Sequence, residues 1–100
     1  MLFTCNYNTI VITWDEAKRR QNLRDHKIDL ARCEPIFDAP MLTEEDTSEA
    51  YGEQRLKSYG LLNGRVVLLV WIDRGDTAHV ISCREAERYE ARKYWKEAPI

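Results

Sequence analysis

The chain has 100 residues, of which 44% are hydrophobic and 32% charged, and its net charge is −2. This length suits a single domain spanning residues 1–100, and so high a hydrophobic fraction excludes a disordered chain. The longest apolar run, Val66 to Ile72, is far shorter than the roughly 20 residues that a membrane-spanning helix needs. Three cysteines without paired spacing and an N-terminus without a secretion signal favour reduced thiols in the cytoplasm.

The first part of the chain predicts a strand and a helix. The β-branched run Thr9 to Thr13 favours a strand. Thr13-Trp14-Asp15-Glu16 matches the Thr-x-x-Glu capping box, which predicts a helix running to about His26. This helix is polar nearly all round, so we expect it to pack at an edge of the fold. Its few candidates for a core face are Trp14, Ala17, Gln21 and Leu23.

A second helix is predicted after Asp29, which suits an N-cap. Apolar residues follow at helical spacing, although Pro35 lacks the N–H group and should kink or delay the helix. The spaced positions are Leu30, Cys33, Glu34 and Phe37. Asp38-Ala39-Pro40 should stop this helix, and residues 41–53, polar and without period, predict an acidic loop.

The second half of the chain predicts an antiparallel meander. Arg55 to Leu62 alternates as a half-exposed strand does, and Asn63-Gly64 is a strong hairpin signal. Val66 to Ile72 is continuously apolar, which is typical of a central strand covered on both faces. Thr77 to Cys83 predicts a third strand.

A final helix is predicted from about Arg84 to Trp95, opened by a Ser-x-x-Glu box at Ser82 to Glu85. The predicted fold class is therefore α+β: a β-α-α unit, a three-stranded antiparallel meander and a C-terminal helix.

Basic residues on the predicted strands are the most informative polar feature. Arg55 and Lys57 share one face of their strand, while His79 lies on the last strand and Arg84 follows it. In an antiparallel meander these side chains can converge, and arginine can hold a phosphate through paired hydrogen bonds. Taken alone, the pattern favours ordinary exposed strand charges over a phosphate site, with Arg84 an exposed cation. Glu90, on one helix face with Ala86 and Tyr94, favours a half-buried salt-bridge partner over a catalytic base.

No metal or cofactor is expected. His26 and His79 are far apart, and no cysteine pair has ligand spacing. Cys33 and Cys83 fall on apolar periodicities, which indicates core residues rather than nucleophiles. No glycine-rich phosphate loop is present.

Several sequence motifs of the chain resemble those of a known family. Trp14-Asp15-x-x-Lys18-x-x-x-Asn22-x-x-x-His26 resembles the opening of the BrnT toxin family, the ribonuclease half of a type II toxin–antitoxin pair. The similarity covers roughly residues 12–95. Its further motifs, in order, are Phe37-Asp38-x-Pro40, Gly52-Glu53-x-Arg55, Gly60, Gly64-Arg65-Val66, Arg74-Gly75-Asp76 and Ile81-Ser82-Cys83-Arg84-x-Ala86-x-x-x-Glu90-x-x-x-Tyr94.

The resemblance implies a RelE-like fold and a metal-independent endoribonuclease that inhibits translation. It also implies an RNA substrate and a cognate antitoxin whose ribbon-helix-helix domain binds operator DNA. The RNA 2′-hydroxyl would attack the adjacent phosphate, with Arg55, Lys57 and Arg84 as phosphate contacts and His79 as acid or base. His26 is a second candidate, for which a structural cap is an equal reading.

Departures from the family pattern leave an alternative open. The family usually has Gly-Val where Lys27-Ile28 stand, Arg where His79 stands and Ala where Cys83 stands. Pro35 is unusual in its second helix, and family members tend to be more basic than this chain, whose net charge is −2. Loss of the arginine at 79 suits a catalytically weak or inactive module that only assembles an antitoxin repressor complex. In either case the antitoxin should find apolar anchors on the toxin. The candidates for these anchors are Trp14, Tyr94 and Trp95.

Overall fold

A computed structural model describes residues 10–47 and 52–98. Outside these residues lie Cys5, Thr9 of the predicted first strand and residues 48–51 of the predicted loop. The elements in chain order are β1 (Val11–Trp14), α1 (Glu16–His26), two 3₁₀ helices (Leu30–Arg32 and Glu34–Asp38), β2 (Leu42–Asp46), β3 (Arg55–Leu62), β4 (Arg65–Asp73), β5 (Thr77–Glu85) and α2 (Arg88–Glu97). Within the described residues, neither helix has the length and apolar character to cross a membrane.

The strands form one five-stranded sheet in the order β1-β5-β4-β3-β2. Strands β2 to β5 pair antiparallel in sequence order, whereas β1 lies parallel to β5. The predicted α+β class is confirmed, and the meander lies within a larger sheet. Its β4–β5 register shifts between Val70 and Trp71, which pair with Ser82 and Val80, so Ile81 is an extra, bulged residue of β5.

The β3–β4 hairpin forms where the sequence predicts it. Asn63 and Gly64 both have positive φ, 53° and 79°, as a two-residue hairpin turn of the primed type requires. Between Val66 and Ile72 only Val70 is more than marginally exposed, so β4 is the covered central strand that the apolar run predicts.

Helix α1 packs along the edge of β5, as its polar sequence predicts. Its N-cap is Asp15, whose carboxylate accepts from the N–H of Ala17 at 2.8 Å, so the predicted Thr13 cap is wrong. Asn22 is its buried residue, while the predicted core candidates on the helix itself are exposed. The Asn22 amide donates to the carbonyl of Cys83 and accepts from its N–H, at 2.9 and 3.0 Å. Asn22 therefore takes the place of a strand neighbour beyond the end of β1.

One face of the sheet, here the first face, is covered by the two 3₁₀ helices. Leu30 and Cys33 are fully buried in the core with residues of β4 and β5, and Ile36 is fully buried beside Gly60 of β3. The predicted α-helix does not form here, because Pro35 cannot supply an N–H in the middle of it. Asp29 nevertheless caps the first segment, with its carboxylate accepting from the N–H of Ala31 at 2.9 Å.

Two other predictions are wrong. Residues 42–46 of the expected loop form the edge strand β2, because their backbone pairs with β3 although their side chains are mostly exposed. The Ser82 box does not start a helix, since pairing with β4 carries β5 on to Glu85. Helix α2 begins instead at Arg88, and the Glu90 carboxylate accepts from the N–H of Glu87 at 2.7 Å.

Candidate functional site

The predicted site residues lie on the face of the sheet opposite the 3₁₀ helices, which we call the second face. Leu56 and Ser58 point to the first face, as do Ala78 and Val80 and, beyond the bulge at Ile81, Cys83. The residues that alternate with them point to the second face. Helix α2 packs on β3 and β4 at one end of this face. Toward the other end Arg55, Lys57 and His79 stay half-exposed.

Strand register places Arg55, Lys57 and His79 close together. His79 pairs with Ile72, and extending the β3–β4 register by one residue places Arg55 on the other side of Ile72. Two strand spacings separate Arg55 from His79, about 10 Å between backbones. Lys57 is two residues further along β3, or about 7 Å. The predicted convergence of these three side chains on one face is thus what the sheet geometry produces.

His79 is fixed by a hydrogen bond between its Nδ1 and Thr13 Oγ1, 2.8 Å long. Thr13 lies beside it because β1 pairs with β5 in register at this point. Burial lowers the pKa of His79 below its usual 6.5, and the positive charge of Arg74 lowers it further. At neutral pH His79 is therefore a neutral imidazole held in one orientation.

Arg74 and Glu53 are neighbours of His79 that the residue patterns did not single out. They form an ion pair, with 3.1 Å between Arg74 Nη2 and Glu53 Oε1. Their charges act on His79 in opposite senses, and the arginine has the larger effect. The available signal was that both belong to family motifs, since no periodicity marks residues in turns.

Lys57 and Arg55 lie beside the acidic edge strand β2. Lys57 pairs across the strands with Glu44, and its Nζ lies 3.7 Å from the carboxylate. Both side chains are partly exposed, so replacing Glu44 by another anion as the partner of Lys57 costs little free energy. Arg55 stands opposite Asp46. The acidic segment of the sequence thus flanks the cationic one instead of forming a separate loop.

Arg84 is on the second face but belongs to a different group of contacts. Its Nη1 and Nη2 donate to the two carboxylate oxygens of Glu90 at 2.9 and 3.0 Å, and Nη1 also donates to the carbonyl of Glu85. The Tyr59 hydroxyl donates to Glu90 Oε2 at 3.0 Å. Arg84 is therefore not the plain exposed cation expected from the sequence, and Glu90 is its predicted salt-bridge partner.

The pKa values follow from these contacts. Hydrogen bonding to Arg84 holds the pKa of Glu90 at about 2, despite the burial of its side chain. Burial and the neighbouring Glu90 raise the pKa of Tyr59 to about 12. The hydrogen bonds described for Arg84 do not use its Nε–H or the second Nη2–H. These two groups form a second pair of parallel donors, or fork, on a half-exposed side chain. That fork matches two oxygens of a phosphate.

His26 is not beside His79. It ends α1, is exposed, and lines a groove of 160 Å³ between α1 and β5 with Lys18 and Ser82. Of the expected partner anchors, Trp95 is 55% exposed, whereas Tyr94 is fully buried and donates its hydroxyl hydrogen to the carbonyl of Pro40. Trp14 packs against the core.

The two described cysteines are core residues, as predicted. Cys33 and Cys83 are fully buried, and contact with Cys33 together with burial raises the pKa of the Cys83 thiol. In residues 10–47 and 52–98, no cluster of histidine, cysteine or carboxylate side chains has the makings of a metal site.

Comparison with known proteins agrees with the resemblance in the sequence. The family model described as the ribonuclease toxin BrnT of type II toxin–antitoxin systems matches residues 14–90. The crystal structure of the ribonuclease toxin BrnT of Brucella abortus is similar, with a TM-score of 0.59 and 28% identity over 80% of this chain and 100% of that chain. No match is found among curated proteins. The chain belongs to the BrnT family, the ribonuclease toxins of type II toxin–antitoxin systems, in which a toxin has an antitoxin partner.

Proposed function

We propose that this protein is a metal-independent endoribonuclease of RelE-like fold that inhibits translation by cleaving RNA on the second face of its sheet. We further propose that residues 1–100 act as a single toxin domain in the cytoplasm. The observation that carries the proposal is the placement of Arg55, Lys57 and His79 on that face in a chain of a ribonuclease toxin family.

The proposed reaction is attack of the RNA 2′-hydroxyl on the adjacent phosphate. His79 is the proposed base, in the tautomer whose Nδ1–H donates to Thr13 Oγ1 across the 2.8 Å contact, so that Nε2 accepts the 2′-hydroxyl proton. The 2′-oxygen–phosphorus bond forms as the bond to the 5′-oxygen breaks, and the leaving oxygen takes a proton from His79 or water. A lowered pKa keeps His79 in the required neutral form near pH 7.

The cationic residues supply the remaining chemistry. Lys57 and Arg55 would hold the phosphate whose negative charge grows in the transition state, a contribution that fixed donors make without reorganising. Arg84 contributes differently, because Glu90 balances its charge. Its remaining Nε–H and Nη2–H would position a neighbouring phosphate rather than attract it from a distance. His26 lies outside this group, and we assign it to the α1–β5 groove.

The test is cleavage of RNA by the purified protein in excess EDTA. We expect products with 2′,3′-cyclic phosphate and 5′-hydroxyl ends, and no cleavage of the same RNA carrying 2′-O-methyl groups. Cleavage that stops in EDTA and returns with zinc or magnesium would overturn the mechanism, and cleavage of the 2′-O-methyl RNA would do the same.

A second candidate function is a catalytically inactive module that assembles a repressor complex with its antitoxin. The observation that favours it is the neutral His79, where the family usually has a permanent cation. In both cases we propose a cognate antitoxin whose ribbon-helix-helix domain binds operator DNA. Expression of the toxin alone separates the two: growth arrest with loss of RNA supports the enzyme, and unchanged growth supports the module.

A further inference from the structure

Helix α2 presents an unusual set of side chains away from the sheet. Glu90 and Tyr94 face the protein interior and are buried. The exposed positions carry four cations, two aromatic rings and, at the last turn, Glu97. They are Arg88, Tyr89, Arg92, Lys93, Trp95, Lys96 and Glu97.

Helical geometry gathers most of these on one stripe. At about 100° per residue, Trp95, Arg88, Arg92, Lys96 and Tyr89 fall within an arc of about 120°. We call these five residues the outer stripe of α2. None of them is a carboxylate, although the chain as a whole has a net charge of −2. The local field of this stripe is therefore positive over about 12 Å of helix.

The aromatic side chains of the outer stripe are exposed, and one of them is held in place. Tyr89 is 69% and Trp95 55% exposed. The Trp95 ring packs edge-to-face on the buried Tyr94, with 5.2 Å between centroids. A ring that is already ordered loses little freedom when a flat group stacks on it.

The helix that carries the outer stripe packs on the same face of the sheet as the candidate site, at the opposite end of that face. Helix α2 packs on β3 and β4, and Glu90 on its inner side holds Arg84. A strand of RNA lying along the second face would thus meet α2 at the end of the sheet where Arg84 lies.

We propose that the outer stripe of α2 binds the single-stranded RNA that flanks the cleavage point, through phosphate contacts of its cations and stacking of bases on Trp95 and Tyr89. This inference rests on the proposed ribonuclease function and names where the substrate continues beyond the reacting phosphate. Cations interleaved with exposed aromatic rings are the combination that single-stranded nucleic acid needs.

The composition favours RNA over an acidic protein segment. The centre of a protein interface is enriched in aromatic residues and arginine but depleted in lysine, and its anchors cluster in fully desolvated pockets. The outer stripe has no aliphatic residue, and its cations lie between its rings. Base stacking tolerates this arrangement, because phosphates pair with the cations while the bases cover the rings.

The experiment measures binding of a labelled 2′-O-methyl RNA, which resists 2′-hydroxyl attack, over a series of salt concentrations. The variant is Arg88→Gln with Arg92→Gln, and the matched control is Arg20→Gln with Arg24→Gln, an exposed pair of the same spacing on α1. We expect the slope of log Kd against log salt to fall by about 1.4 in the α2 variant and to stay unchanged in the control. Trp95→Ala should weaken binding about tenfold.

The outcomes separate this inference from the proposed function. If the wild-type protein neither binds nor cleaves RNA, the proposed function fails and this inference with it. If the wild-type protein cleaves RNA but the α2 variant keeps its salt slope, only the inference is overturned. It is also overturned if the α2 variant binds RNA normally and loses only an acidic antitoxin.

Discussion

The ion pair between the half-exposed Arg84 and the buried Glu90 leads to a prediction about stability. Glu90→Gln keeps the shape of the side chain and removes its charge. The pKa of Glu90 is about 2 in the folded protein against an ordinary 4.5. That difference corresponds to about 3 kcal/mol of unfolding free energy at neutral pH. Since the Arg84 side chain is 35% exposed and therefore partly screened, we expect the variant to lose about 2–3 kcal/mol at pH 7.

The pH dependence identifies the cause. A carboxyl group with a lowered pKa stabilises the fold fully above its unfolded value and loses this contribution as the pH falls toward the folded value. The stability gap between wild type and Glu90→Gln should therefore be constant above about pH 5 and shrink between 4.5 and 2. Urea unfolding followed by tryptophan fluorescence at pH 7, 4.5 and 3 measures it.

The matched control is Glu85→Gln, which breaks the exposed ion pair with Arg65, 3.2 Å long. We expect a change under about 1 kcal/mol, because both partners are well solvated. A gap for Glu90→Gln that is equally small, or that does not change down to pH 3, would refute the assignment of Glu90 as a charged partner of Arg84.

Three further predictions concern α1 and His79. Asn22→Ala should cost about 2–4 kcal/mol in urea unfolding, because it leaves the buried N–H and carbonyl of Cys83 without their partner; a loss under about 1 kcal/mol would contradict this. Lys27→Gly should stabilise the protein by about 1 kcal/mol and raise the Tm by about 4–8 °C. The reason is that Lys27 adopts a left-handed φ of 62° at the helix end, a conformation that favours glycine. A lowered Tm would count against this prediction. The rate of RNA cleavage should fall as the pH is lowered, with a midpoint below 6.5, because the His79 base becomes protonated. His79→Gln should abolish this decrease in rate at low pH. If the decrease is unchanged in His79→Gln, it comes from another group.

Local signals in the sequence were sufficient for the central part of the fold. Asn63-Gly64 determines its turn through backbone preference alone, and the apolar run of β4 needs cover on both faces wherever it lies. Strand β2 could not be found in this way. Its side chains are mostly exposed and acidic, and its conformation depends on pairing with the distant β3.

Capping motifs were less reliable, because they compete with pairing at a distance. Thr13 and Ser82 both match a capping box, yet each lies in a strand, and Thr13 instead bonds to His79. Asn22 shows the same limit: its buried role depends on the edge of β5, 61 residues away.

The candidate site was partly accessible to sequence reasoning. Alternation along β3 places Arg55 and Lys57 on one face, and the meander brings His79 to the same face. The pairing of Arg84 with Glu90 turns one predicted cation into a neutral pair. Arg74 and Glu53 lie in turns, where no period marks them, so only the folded chain shows them beside His79.

The most direct test of the central claim is the single-turnover cleavage rate of one RNA by Lys57→Gln and by Arg65→Gln. Lys57 lies among the proposed phosphate contacts, whereas Arg65 is an exposed cation at the hairpin end of the sheet. We predict a loss of about 100-fold for Lys57→Gln. For Arg65→Gln we predict a change of less than about twofold, because an exposed cation remote from the phosphate adds little. Equal rates for both variants and the wild type would contradict a cleavage site on the second face.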